Sequence, residues 1–145
     1  MSNKIYPIGI QNFEKLRLGG YFYIDKTALV YQLAKTGCYY FLNRLRRFGK
    51  SLLISTLEAY FQGKQELFEG LAIDKLEKDW IKYPILHLDL NIGKYDAPES
   101  LNQILNDHLT HWEELYGSRP SEVSLALRFA GIIQRACEQT GQRTV

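Results

Sequence analysis

The residues best suited to chemistry form one run, Asn43-Arg44-Leu45-Arg46-Arg47-Phe48-Gly49-Lys50-Ser51. The chemistry is anion binding. Gly49 lacks a Cβ, tolerates positive φ and lets the backbone approach a phosphate oxygen. The Lys50 ammonium is a compact charge with the reach for β- and γ-phosphates, and the Ser51 hydroxyl is a hard oxygen ligand for Mg²⁺. Arg44, Arg46 and Arg47 add three fixed positive charges beside them. The expected nucleotide-binding set is Arg46, Arg47, Phe48, Gly49, Lys50, Ser51 and Leu52, with Ser51 meeting the metal through the nucleotide.

Such a loop works only if its flanks hold it. Before it, Cys38-Tyr39-Tyr40-Phe41-Leu42 is an apolar aromatic run that reads as a strand over 38–43. After it, Leu52 to Phe61 carries a helical pattern. Strand, basic loop and helix together would aim the amides of a helix N-terminus at a β-phosphate. The complete phosphate-loop signature, G-x-x-x-x-G-K-[ST], would place its first glycine at position 44, which is Arg44. A side chain there resists positive φ, so either the loop takes another path or Arg44 itself contributes to the anion site. The plain alternative is a basic loop that happens to contain Gly-Lys-Ser.

The remaining elements follow from periodicity and stop signals. Helices are expected over Asn12 to Leu18, Thr27 to Thr36, Gln65 to Leu71 and Leu76 to Tyr83. A long helix carries Leu101, Ile104, Leu105, Leu109, Trp112 and Leu115 on one face. A last helix, opened by Pro120, would turn Val123, Leu127, Ala130, Ile133 and Cys137 inward. Ile85 to Leu90 alternates apolar with polar and reads as a second strand, and 142–145 as the start of another.

Composition excludes several classes. Of 145 residues, 46% are hydrophobic and 23% charged, with ten Tyr, seven Phe and two Trp, which is a folded globular chain and not a disordered one. A net charge of +2 is too balanced for bulk coating of nucleic acid, so any such contact is local. Cys38 and Cys137 stand in no metal or redox spacing and read as buried free thiols. No apolar run spans a bilayer, and the start Met1-Ser2-Asn3-Lys4 is polar, so no membrane and a cytoplasmic location are expected.

With these residues in view, the whole chain resembles the predicted AAA-ATPase-like family. The likeness is carried by Pro7-Ile8-Gly9-Ile10, Phe13-Glu14-Lys15-Leu16, Tyr23-Ile24-Asp25-Lys26-Thr27 and Arg46-Arg47-Phe48-Gly49-Lys50-Ser51. It continues through Leu57-Glu58-Ala59-Tyr60-Phe61, Leu67-Phe68-Glu69-Gly70-Leu71, His87-Leu88-Asp89-Leu90 and Leu127-Arg128-Phe129. Leu45 stands where the family usually has proline, while Arg44 is the family's usual residue. The resemblance implies an α/β, P-loop NTPase-like three-layer fold, here truncated, with strands at about 38–43 and 85–90 and several flanking helices. It implies ATP and Mg²⁺ as ligands. Residues 1–145 would be the N-terminal portion of one such domain, ending before the acidic Walker B strand, and would hydrolyse ATP poorly or not at all. Alternatives are a non-hydrolysing regulatory nucleotide module, or phosphate-backbone binding by the Arg/Lys loop in concert with an associated nuclease domain. Strands left with unpaired edges would offer a route to a homo-oligomer.

Other residues carry two readings each. Asp25 is a helix N-cap with Lys26 exposed, or the pair lies near the adenine or ribose side of the site. Asp89 faces the phosphate pocket or is a solvated strand-end acid. His108 and His111 are three apart, a metal-compatible spacing with no third ligand, and read as exposed helix histidines; His87 receives no role. Trp80, Trp112, Tyr39 and Tyr40 read as packing aromatics.

Overall fold

Asn12 begins the first helix by accepting a hydrogen bond from Lys15 N–H at 2.9 Å, and α1 runs Phe13–Leu18. In the computed structural model, which describes residues 5–145, five further helices follow: α2 (Thr27–Thr36), α3 (Lys50–Phe61), α4 (Ala72–Leu76), α5 (Ser100–Tyr116) and α6 (Leu125–Thr140). Short 3₁₀ turns occupy Gln65–Phe68 and Leu90–Ile92. The backbone forms two units, Met1–Lys82 and Tyr83–Val145.

In the first unit, α1 packs on α3 and α2 on α4. Phe13, Val30, Ala59, Tyr60, Leu67, Phe68, Leu71 and Ile73 form its core. The Phe13 and Phe68 rings lie 4.8 Å apart, and Trp80 packs 5.2 Å from Phe68. Burying apolar surface of this kind stabilises by about 25 cal/mol per Å², so these aromatics dominate the unit's energetics. Polar ties fix its register. Arg17 donates to the carbonyls of Leu67 (2.6 Å) and Glu69 (2.7 Å), and Lys64 pairs with Glu14 at 2.9 Å. Buried Glu77 accepts from Tyr60 Oη, from Lys35 Nζ at 2.8 Å and from the amides of Lys78 and Asp79.

In the second unit, α5 packs on α6 around Leu109, Trp112 and Ile132, with Leu86, Tyr116 and Leu125 against them. Ser124 caps α6. Arg128 clamps Glu113 through two 2.7 Å bonds, and Arg135 clamps Glu122 at 2.5 and 3.0 Å. A Cβ on Gly131 would fall 2.0 Å from the Glu122 carboxylate, so the glycine opens the space this second pair crosses.

The expected α/β three-layer architecture is overturned: the described residues form helices and turns, with no β-strand or sheet. Segment 38–43 is non-helical and exposed, without a ladder partner. Segment 85–90 forms no strand, although Val145 N–H donates to Pro84 O at 2.9 Å and Leu86 N–H to Val145 O at 2.8 Å, before Asp89 caps the 3₁₀ turn at Leu90–Ile92. The reason is physical. Alternation equips a segment for a sheet, but the ladder comes from a neighbour, and the described residues form no strand beside either segment.

Two helical expectations are also corrected. No helix covers 77–83: the Glu77 carboxylate captures the Lys78 and Asp79 amides, Trp80 has φ 33°, and Pro84 disfavours helical backbone at Tyr83. The inner face of α6 holds Ile132, Arg135 and Ala136, while Val123, Leu127 and Ala130 are exposed. Cys38 is an exposed free thiol, contrary to the buried reading, and Cys137 is half-buried.

Candidate functional site

The basic loop meets the start of α3 at Gly49, whose φ of 75° is left-handed. Only glycine reaches that region without strain, so Gly49 swings the chain sharply into the helix. Arg47 is also left-handed, at φ 66°. The turn therefore falls three residues after position 44, and Arg44 keeps negative φ. This is how the loop dispenses with a first glycine: the strain is moved onto Arg47.

Lys50 closes the loop on itself. Its ammonium donates to the carbonyls of Arg44 (2.5 Å) and Leu45 (2.8 Å), which leaves one of three N–H donors for another acceptor. No side chain caps α3 and no acid sits in its first turn, so the positive end of the helix is uncompensated. The Ser51 hydroxyl has no hydrogen-bond partner among the described residues.

A cleft of about 790 Å³ opens beside this turn. It is lined by Arg46, Arg47, Gly49, Lys50, Ser51 and Leu52 on one side, and by Ile8, Gly9, Ile10 and Gln11 on the other. The structure thus brings together six of the seven expected residues. Phe48 does not line the cleft and is 59% exposed. Three lining side chains are cationic and none is acidic, so the cleft attracts anions.

The wall at Ile8–Gln11 was not foreseen from the sequence. Ser55, one turn beyond Ser51, places it: its hydroxyl accepts from Phe13 N–H at 2.9 Å and lies 3.4 Å from the Gln11 carbonyl. The one sequence signal for it was the apolar Pro7-Ile8-Gly9-Ile10 block ahead of the Asn12 cap.

Asp25 lies one residue before Lys26, the N-cap of α2, and ties two helix starts together. One oxygen accepts from Thr27 N–H (2.9 Å) and Thr27 Oγ1 (2.6 Å), the other from Ala72 N–H (2.7 Å), and Thr27 Oγ1 accepts from Ile73 N–H at 3.1 Å. Burial pushes Asp25 up, but these hydrogen bonds and the Arg17 charge outweigh it and hold the carboxyl below its ordinary value. Asp25 and Thr27 therefore join the starts of α2 and α4 and do not line the cleft.

Asp89 accepts from Asn91 N–H at 2.9 Å as a local cap. His108 is not a free surface histidine: its Nε2 meets the Asp89 carbonyl at 3.0 Å and its ring packs on Trp112. His111 sits 3.8 Å from Glu114. Among the described residues no cluster of three or more His, Cys, Asp or Glu is placed to hold a metal. No helix of the described residues is long and apolar enough to cross a membrane.

The described residues place a glycine-hinged cationic loop at the start of a helix, and comparison with known proteins shows the family. The chain belongs to the predicted AAA-ATPase family, whose model matches residues 7–145. It is 38% identical over 147 residues to an uncharacterized protein in the vnfD 5'region of Azotobacter chroococcum mcd 1. That alignment takes in 100% of this chain and 28% of the relative, so the chain spans under a third of the relative's length. No solved structure matches it.

Proposed function

We propose that the cleft between the Gly49 turn and Ile8–Gln11 binds a nucleoside triphosphate, ATP by family, together with Mg²⁺. The phosphates lie on the uncapped amides of Lys50, Ser51 and Leu52 and on the third N–H of the Lys50 ammonium. Arg46 and Arg47 neutralise the outer charge, and the partnerless Ser51 hydroxyl faces the cation. Ile8, Gly9 and Ile10 give an apolar wall for the base. The observation that carries this reading is the lining around an uncapped helix start, whose charged side chains, Arg46, Arg47 and Lys50, are all cationic.

The donor set fits the group. Mg²⁺ takes few protein oxygens and keeps phosphates and water as its remaining ligands, and Ser51 supplies one such oxygen. With no carboxylate in the lining, the reading is of binding and not of turnover.

Calorimetric titration of MgATP tests it, run beside Lys50→Ala and beside an RNA oligomer. Lys50→Ala removes a charge-assisted contact of about 1.5–3 kcal/mol and weakens binding about 10- to 150-fold. Equal affinity of variant and wild type, or RNA binding in preference to MgATP, would sink the proposal.

A further inference from the structure

The cleft beside the Gly49 turn has two chemically different sides. All of its charged side chains, Arg46, Arg47 and Lys50, belong to the loop, with the Ser51 hydroxyl beside them. The opposite side, Ile8, Gly9, Ile10 and Gln11, carries no charge and a single polar side chain, the Gln11 carboxamide. That carboxamide is exposed, and no hydrogen bond engages it among the described residues. Its backbone, by contrast, is held. The Gln11 carbonyl lies 3.4 Å from Ser55 Oγ, and Asn12 and Phe13 after it open α1. Ser55 stands one turn beyond Ser51, about 6 Å along the axis of α3. Gln11 therefore has a fixed root and an available donor and acceptor, set off by one helical turn from the amides that open the helix. At about 790 Å³ the cleft is of a size that takes a whole small molecule.

Resting on the triphosphate reading of this cleft, we propose that the Gln11 carboxamide reads the base of the nucleotide and selects adenine over guanine. A carboxamide presents an acceptor and a donor side by side. Adenine presents the complement, its N6 amino group beside the N7 acceptor, so one glutamine engages both in a bidentate pair.

Guanine does not match. At the same edge it offers two acceptors, N7 and O6, which suit a doubly donating arginine or lysine. Those side chains are on the loop, where the phosphates engage them. At its other edge guanine needs acceptors for N1–H and the N2 amino group together. One carboxamide oxygen does not serve both, and no carboxylate lines the cleft. The N2 amino group would then lie unpaired against Ile8 and Ile10, and a polar group buried without a partner is costly.

Calorimetric titration of MgATP, MgGTP and magnesium tripolyphosphate into wild type, Gln11→Ala and Gln11→Glu tests the proposal, tripolyphosphate reporting on the loop without a base. Wild type is expected to favour MgATP over MgGTP by about 5- to 150-fold, the discrimination of one bidentate pair. Gln11→Ala should bring MgATP down to the level of MgGTP and leave tripolyphosphate unchanged. Gln11→Glu, whose carboxylate accepts from N1–H and the N2 amino group together, should turn the preference toward MgGTP. Tripolyphosphate binding with no preference for MgATP in wild type would overturn the base reading and leave the triphosphate site standing. A preference that survives Gln11→Ala would overturn it too, since the wall backbone would then read the base. So would a Gln11→Ala variant that loses tripolyphosphate as strongly as MgATP, the mark of a structural role. Failure of all three ligands to bind folded wild type would remove the triphosphate reading itself, and this proposal with it.

Discussion

Replacing Glu77 with glutamine keeps the shape of a side chain that joins α2, α3 and the segment after α4, and removes its charge. The carboxylate is 5% exposed and accepts from Lys35 Nζ, Tyr60 Oη and the amides of Lys78 and Asp79. Burial raises its pKa, but these donors outweigh burial and bring it from 4.5 down to about 2. A depression of that size corresponds to roughly 3 kcal/mol of stability, an upper figure because Lys35 is half-exposed and its share is screened.

The sign follows from the direction. A lowered folded-state pKa gives stabilisation that is complete above pH 4.5 and fades as pH falls toward about 2. Glu77→Gln should therefore lose about 2–3 kcal/mol at pH 7, seen as a drop in urea midpoint. The gap between wild type and variant should close to less than half by about pH 3, since the other carboxylates titrate in both proteins and cancel. A gap that stays constant from pH 7 to 3, or is absent at pH 7, would refute the reasoning.

Three further expectations follow from individual contacts. Arg47→Gly relieves a left-handed residue and Arg47→Ala does not, so the glycine variant should be the more stable by about 1 kcal/mol in urea unfolding, while both weaken MgATP binding. Gly131→Ala gains helix propensity of about 1 kcal/mol but displaces Glu122 from buried Arg135, so melting should show net destabilisation despite the helical position. Ser55→Ala loses the hydrogen bonds that seat Gln11 and Phe13 on α3; we expect about 1 kcal/mol lower stability and a several-fold weaker nucleotide affinity in calorimetry, with Lys50 untouched.

Much of the helical framework was legible. Thr27–Thr36 forms as read, and the long α5 buries Ile104, Leu109 and Trp112 from its expected face. What failed was what depends on distant partners. Residues 38–43 and 85–90 have strand-like patterns, yet a ladder is a property of two segments. The inner face of α6 differs from the expected one because Arg128 and Arg135 pair with Glu113 and Glu122, which carries them inward. The Arg128 guanidinium holds Glu113 below its usual carboxylate value for the same reason.

The candidate site divides along the same line. Its cationic half is nearly contiguous in sequence, so residue types and spacing were enough to collect Arg46, Arg47, Gly49, Lys50, Ser51 and Leu52, with Phe48 the one miscast member. Its apolar half lies some forty residues upstream and is seated by Ser55, a residue that gives no chemical signal of its own. Asp25 and Thr27 show the converse: a block that carries the family resemblance turns out to work as a joint between two helix starts.

The central claim is that the Gly49 turn and the Ile8–Gln11 wall together hold a nucleoside triphosphate. An amide spectrum of ¹⁵N-labelled chain titrated with MgATP tests it most directly. The account predicts that Gly9, Ile10, Gly49, Lys50, Ser51 and Leu52 shift together along one saturating curve. Shifts confined to the arginines, shifts that leave Gly9 and Ile10 unmoved, or no shifts in a folded sample would contradict it.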